Sequence, residues 1–101
     1  MRKTTNNTFL VTKEMLKKGM TVEEIAKERN MAQSTIYGHI ARLVGDGDFN
    51  ADKFVDSEKC DTIRDYFEST GDLSLGRAHE VLGEDYEFWE LRTVLAEMQR
   101  T

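Results

Sequence analysis

Proline is absent from this 101-residue chain, and cysteine occurs once. A lone Cys60 rules out an intramolecular disulfide and suits a reducing cytoplasm. No apolar run approaches the roughly 20 residues that a membrane helix needs. The N-terminus lacks the apolar stretch of a secretory signal, so export is not indicated. No segment sustains the apolar–polar alternation of a strand. No internal repeat or low-complexity tract occurs. What remains is 39% apolar and 33% charged residues, the balance of a soluble globular domain. The length favours one domain, built of two small lobes, with a modest core that needs no disulfide or metal.

The net charge of −5 argues against binding nucleic acid with the whole surface. Its distribution says more. Residues 1–45 hold eight Lys/Arg against four acids, a balance of +4. Residues 46–101 hold six against fifteen, a balance of −9. Any nucleic-acid contact is therefore expected in the first half.

Apolar residues recur every three to four positions throughout, which predicts helices. The first spans about 5–18, capped by Thr4 or Thr5 and stopped by Gly19, with Phe9, Thr12, Met15 and Leu16 inward. The second spans 22–29, with Thr21 and Glu24 spaced as a capping box and Val22, Ile25 and Ala26 inward. The third spans 33–44 on Ile36, Ile40, Leu43 and Val44. After a loop and a short turn near 51–54, Asp56 or Ser57 can cap a fourth at 58–69, bearing Cys60, Ile63, Tyr66 and Phe67. Gly71-Asp72 ends it. Ser74 caps a fifth at 75–82, bearing Leu75, Ala78, Val81 and Leu82. A sixth follows Gly83 at 85–99, with Phe88, Leu91, Leu95 and Met98 in register, supplemented by Trp89 and Val94.

The segment 25–40 meets the packing demands of a helix-turn-helix. Ala26 is the small residue at the helix crossing. Asn30, four residues on, tolerates the left-handed turn conformation. Met31 can plug the corner, and Ile36 locks the second helix. In this motif the second helix lies in the major groove with its N-terminal residues at base edges. The inward face leaves Gln33, Ser34, Tyr37, Gly38, Ala41 and Arg42 outward. Gln33 can read adenine, and Ser34 or Thr35 can hold phosphate. Gly38 would admit a close backbone approach. Tyr37 could stack or bond phosphate. Lys27, Arg29 and Arg42, with Lys17 and Lys18, could supply charge for the phosphate backbone. The competing reading is an ordinary solvated face on a protein scaffold.

The run GMTVEEIAKERNMAQSTIYGHIARLVGDGDFNADKFV resembles the helix-turn-helix domain at the C-terminal end of some RecQ-type ATP-dependent DNA helicases. The likeness rests on Glu23, Glu24, Ile25, Ala26, Lys27, Glu28, Arg29, Ser34, Thr35, Ile36, His39 and Ile40. SLGRAHEVLGEDYEFWELRTVLAEM is similar to that family's closing segment, so the resemblance spans about 8–98. Asn30 stands where the family usually has Gly. The local Thr-Ile and His spacing also resembles the DNA-reading helix pair of LuxR-type regulators, a commoner pattern. The RecQ resemblance implies a non-catalytic accessory module beside a helicase motor, gripping DNA or docking on a partner, in a bacterial DNA-repair setting near the nucleoid. No phosphate-cradling Gly-x-x-x-x-Gly-Lys-Ser/Thr is present, so the motor would be the rest of a longer protein or another chain.

Other chemistry finds little support. His39 reads as a packed or phosphate-touching residue, and His79 as an ordinary helix residue, since no second ligand falls at metal spacing. Cys60, on an apolar face, reads as a small hydrophobe. Asp46, Asp48, Asn50 and Asp52 alternate like a calcium loop, but Ala51 replaces the required Gly and Glu58 comes one residue late. Those acids are expected to cap short helices instead. Trp89 reads as core, since helical spacing explains it.

The expectation is an all-α single domain, 1–101, with a helix-turn-helix lobe at 5–49 and a C-terminal helical lobe at 50–101. It is not an enzyme. It takes no cofactor, metal or small-molecule substrate and meets no membrane. Its partners are DNA and helicase motor domains, and its place is the cytoplasm. The rival expectations are a protein-docking module and a free-standing transcription regulator.

Overall fold

The structure, a computed structural model, describes residues 7–100. The described residues form six α-helices and one short 3₁₀ turn, with no strand. They are α1 (Asn7–Lys17), α2 (Val22–Arg29), α3 (Gln33–Gly45), the 3₁₀ turn (Ala51–Lys53), α4 (Ser57–Thr70), α5 (Leu75–Leu82) and α6 (Phe88–Gln99). The Thr4 or Thr5 cap expected for α1 lies outside the described residues.

Local chemistry accounts for most boundaries. The backbone N–H of Glu24 donates to Thr21 Oγ1 at 3.1 Å, and Glu24 Oε1 accepts the Thr21 N–H at 2.8 Å. This reciprocal cap satisfies two amides that α2 cannot bond itself, a contribution of about 1 kcal/mol. Asn30 ends α2 at φ 55° and ψ 48°, and is the non-glycine residue with positive φ among the described residues. The turn closes when the Met31 N–H donates to Ala26 O at 2.9 Å. Gly71 ends α4 in the same left-handed region. Ser74 Oγ caps α5 by accepting the Arg77 N–H at 3.2 Å. Asp56 occupies the cap position of α4 without a side-chain bond, contrary to the capping role expected of the loop acids. Asp46 and Asp48 pair with Arg42 and Lys13, and Asn50 accepts from Arg100. Their oxygens are drawn to nearby cations rather than to helix N-termini or to one another.

The core is one cluster. Ile25, Ile36, Ile40, Val44, Val55, Ile63, Leu91 and Val94 are essentially fully buried within it. The helix-turn-helix supplies one wall and α4 and α6 the other, so each half covers apolar surface of its neighbour. Burying a Val, Leu or Ile side chain contributes about 1.5–3 kcal/mol, and this shared interior dominates stability. Polar clamps fix the connection after α3. Arg100 donates to Val44 O and Phe49 O, each at 3.0 Å, and to Asn50 Oδ1 at 2.7 Å. Glu97 accepts the Ala51 N–H at 2.9 Å and pairs with Arg64. Burial pushes the Glu97 carboxyl up, but these two bonds outweigh it and hold the group below its ordinary range.

Three side chains depart from the periodicity. Ala41, expected outward, is buried, because α6 lies across that side of α3. Val81 and Phe88, expected inward, are 61% and 52% exposed. The sixth helix begins at Phe88 rather than 85, so its first residue overhangs the core instead of entering it.

Candidate nucleic-acid interface

The outer side of α3 is divided. Its first turn, Gln33, Ser34 and Thr35, is exposed. Ala32 precedes it without a side-chain cap, and no acid sits in the first turn. No carboxylate of α3 itself competes for its first amides, and helix N-termini favour anions such as phosphate. An open groove beside this turn is lined by Glu23, Ala26, Lys27, Asn30, Met31, Ala32 and Gln33. It holds one acid and one base, a nearly neutral surface.

The rest of that side is occupied by α6. Tyr37 stacks on Trp89 at 4.3 Å with planes 17° apart. The Trp89 indole N–H is buried there without an acceptor. A Cβ on Gly38 would lie 3.8 Å from the Arg92 guanidinium, and one on Gly45 would lie 3.6 Å from Ala96 Cβ. Gly38, Ala41 and Gly45 form a small-residue row along which α6 approaches. At Gly38 the neighbour is the tip of the Arg92 side chain from α6, at ordinary contact distance.

The basic residues also sort into two groups. Lys18 and Lys27 are exposed and make no ion pair among the described residues. Lys17 stands 4.0 Å from Glu14, both well exposed, a contact of little energetic weight. Arg42 pairs with Asp46 at 3.3 Å and lies 4.8 Å from the centroid of the Phe9 ring, yet remains 59% exposed. Arg29 is committed internally. It donates to Thr8 O at 2.8 Å, to Thr12 Oγ1 at 2.6 Å and to Thr8 Oγ1 at 3.2 Å, tying α2 to α1.

His39 belongs to the same internal network. Its Nδ1 lies 2.8 Å from Thr12 Oγ1, and Phe9 meets its ring edge-on at 4.9 Å. With Arg29 donating to Oγ1, the threonine hydroxyl is free to donate to Nδ1, which leaves the ring proton on Nε2. Burial, reinforced by the Arg29 charge, lowers the His39 pKa and keeps the ring neutral. His39 is therefore a packed residue. Cys60 is buried with its thiol toward Val55 O, and burial pushes its pKa up against the opposing pull of Arg64. It has none of the thiolate character of a nucleophile.

The geometry defines a helix-turn-helix whose second helix presents its first turn to solvent and is braced behind by a second helical layer. The chain belongs to a helix-turn-helix domain family, whose model matches residues 8–95. A 37-residue stretch is 46% identical to the ATP-dependent DNA helicase Pif1 of Psychrobacter sp. (strain PRwf-1). That stretch is 37% of this chain and 6% of the helicase, so the chain corresponds to a small part of that protein's length. No solved structure matches significantly. No described helix is long and apolar enough to cross a membrane.

Sequence reasoning placed ten residues at the interface. Six of them are exposed: Gln33, Ser34, Thr35 and Lys27 around the α3 start, and, apart from these, Lys17 and Lys18 at the end of α1. Arg42 is accessible further along α3. Tyr37, Gly38 and Arg29 are held by intramolecular contacts. The row Gly38, Ala41, Gly45 was the available signal that a helix, rather than a groove of DNA, lies against that side.

Proposed function

We propose that this chain is a non-catalytic DNA-contacting module attached to a helicase of the RecQ type, making weak and largely sequence-indifferent contact through the first turn of α3. The observation that carries this reading is the exposed Gln33-Ser34-Thr35 turn, free of acids and flanked by unpaired Lys27. The family match supports the DNA contact and the Pif1 relative a helicase setting; the RecQ type rests on the sequence resemblance. Gln33 touches base edges, Ser34 and Thr35 hold phosphate with the first amides of α3, and Lys17, Lys18, Lys27 and Arg42 meet the flanking backbone. Three to four phosphate contacts give an affinity that falls with salt at a logarithmic slope of about −3. Such a grip does not select an operator. It raises the residence of an attached motor on DNA, where ATP hydrolysis takes place in other domains.

The test is a titration with duplex, forked and single-stranded DNA at low and moderate salt. Lys27→Glu is expected to weaken all binding and to lower the salt slope by about one. Arg42→Glu acts in the same direction, less strongly because Asp46 already offsets its charge. Unchanged affinity in both variants rules out this face. Sharp preference for one sequence favours a transcription regulator instead.

A further inference from the structure

An apolar groove of about 350 Å³ lies between α3, α5 and α6, lined by Ser34 of the α3 first turn and by Tyr37, Leu75, Phe88, Trp89 and Arg92. Four of the six lining residues are aliphatic or aromatic. Phe88 stands at its rim, 52% exposed, with its ring stacked at 4.4 Å on His79. The stack holds the phenyl group in place rather than letting it fold back. Leu73, two residues before Leu75, is 48% exposed. Large apolar side chains held half out of the core, next to a groove, are a feature of docking surfaces.

The unpaired charges on the chain flanking Phe88 are mostly acidic. Glu84, Asp85 and Glu87 precede Phe88 in the α5–α6 turn, and Glu80 follows the His79 on which Phe88 stacks. All four are exposed and make no ion pair among the described residues, whereas Asp72 and Glu90 are neutralised by Arg77 and Lys59. Arg92 is the single cation lining the groove, on the side next to Gly38. Burial raises the Tyr37 pKa, and of the four acids Glu87 lies close enough to add to that effect. A nucleic acid laid here would bring its phosphates against these carboxylates.

We propose that this groove docks a basic amphipathic helix of a protein partner. A bulky apolar residue of that helix packs against Phe88, Leu75 and Leu73. Lysines or arginines one turn to either side meet Glu80, Glu84, Asp85 and Glu87. The apolar anchor sets the lifetime of the complex, and the acidic rim sets its on-rate and salt dependence. This surface borders the proposed DNA contact at Ser34 but includes neither Lys27 nor the α1 lysines, so variants at Phe88 and at Lys27 test the two readings separately.

The intact chain carries one tryptophan, Trp89, in the groove, so its emission reports occupancy directly. The probe is a synthetic helix of about 18 Leu and Lys residues with its leucines on one stripe, compared with a scrambled peptide of the same composition. Saturable one-to-one binding with a blue shift of Trp89 is expected for the striped peptide, with at least tenfold weaker binding of the scramble. Phe88→Ser is expected to weaken binding about tenfold. Because Phe88 is exposed, that variant should keep its thermal midpoint and its Lys27-dependent DNA affinity. Glu84→Gln with Asp85→Asn is expected to weaken binding about threefold at low salt and to flatten its salt dependence. Equal binding of the scramble, or an affinity indifferent to Phe88→Ser, overturns the proposal. So does an oligothymidylate of about 20 nucleotides that shifts Trp89 emission and loses that effect in Phe88→Ser, which would assign the groove to unpaired bases.

Discussion

The first turn of α3 and its remaining two turns belong to one helix but live in different environments. The first turn has exposed polar side chains and an uncapped N-terminus, and only its Ser34 reaches the groove shared with α5 and α6. From Tyr37 onward the same side of the helix is covered by α6, through the Trp89 stack, the buried Ala41 and the small-residue row. The difference shows how a second lobe shapes an interface without joining it. By bracing the back half of α3, α6 fixes the angle at which the front turn projects. It also shortens the exposed surface to about one turn. A helix so covered has room for few base contacts, in keeping with a grip that rests on phosphates and the local field.

The largest effect is expected from Ala41→Glu. Ala41 is 5% exposed and faces α6. A glutamate there must either bury a charge or push the two helices apart, a loss of about 3 kcal/mol or more. Urea denaturation should show a lower midpoint, and Trp89 emission should shift red as the Tyr37 stack loosens. A variant of wild-type stability would mean that α6 does not cover α3 in solution, and the division of α3 would collapse.

The part of the fold set by near neighbours was readable from the sequence. The capping box at Thr21 and Glu24, the left-handed Asn30 and the Ser74 cap each involve residues within a few positions, where residue type dictates backbone geometry. The core stripe Ile36, Ile40, Leu43 and Val44 followed from periodicity for the same reason. What the sequence did not reveal was who stands opposite whom. Arg29 looks like any surface base until Thr8 and Thr12, one helix earlier, accept its hydrogen bonds. Gly38 reads equally as room for DNA or for a helix, and the sequence does not say that Arg92 of α6 lies beside it. Phe88 fits the α6 stripe by spacing, yet as the helix's first residue it stacks on His79 at the rim and stays half exposed. These are long-range placements, and periodicity carries no information about them.

A second prediction concerns the internal network that holds the opposite side of α3 to α1 and α2. His39 is buried and neutral, with its pKa lowered by burial and by Arg29. In the unfolded chain the ring titrates near its ordinary 6.5. Its contribution to stability is therefore complete above that value and is lost as the pH falls below it, toward the lowered folded value. The slope cannot exceed one proton, about 1.4 kcal/mol per pH unit. Glu97, held below its ordinary 4.5, makes its loss at lower pH, once the solution falls through the carboxylate range. Urea midpoints measured between pH 7 and 4 should show the histidine step first. His39→Gln should remove that step and leave the acidic one. If the upper step persists in His39→Gln, the Thr12–His39–Arg29 network is not its source.

The smallest effect on the fold gives the sharpest separation of the two ends of α3. Ser34 is the second residue of the helix, exposed, with no carboxylate in that turn. An aspartate there interacts favourably with the N-terminal end of the helix dipole, so Ser34→Asp should raise stability by about 0.3–1 kcal/mol. The same negative charge stands where a phosphate is proposed to rest. DNA affinity should therefore drop at low salt, with the loss shrinking as salt screens the repulsion. A stabilised protein that binds DNA less well is an outcome that general damage cannot produce, because damage lowers both quantities together. If Ser34→Asp stabilises the chain and leaves DNA affinity intact, the first turn of α3 is a well-formed helix start that DNA does not touch.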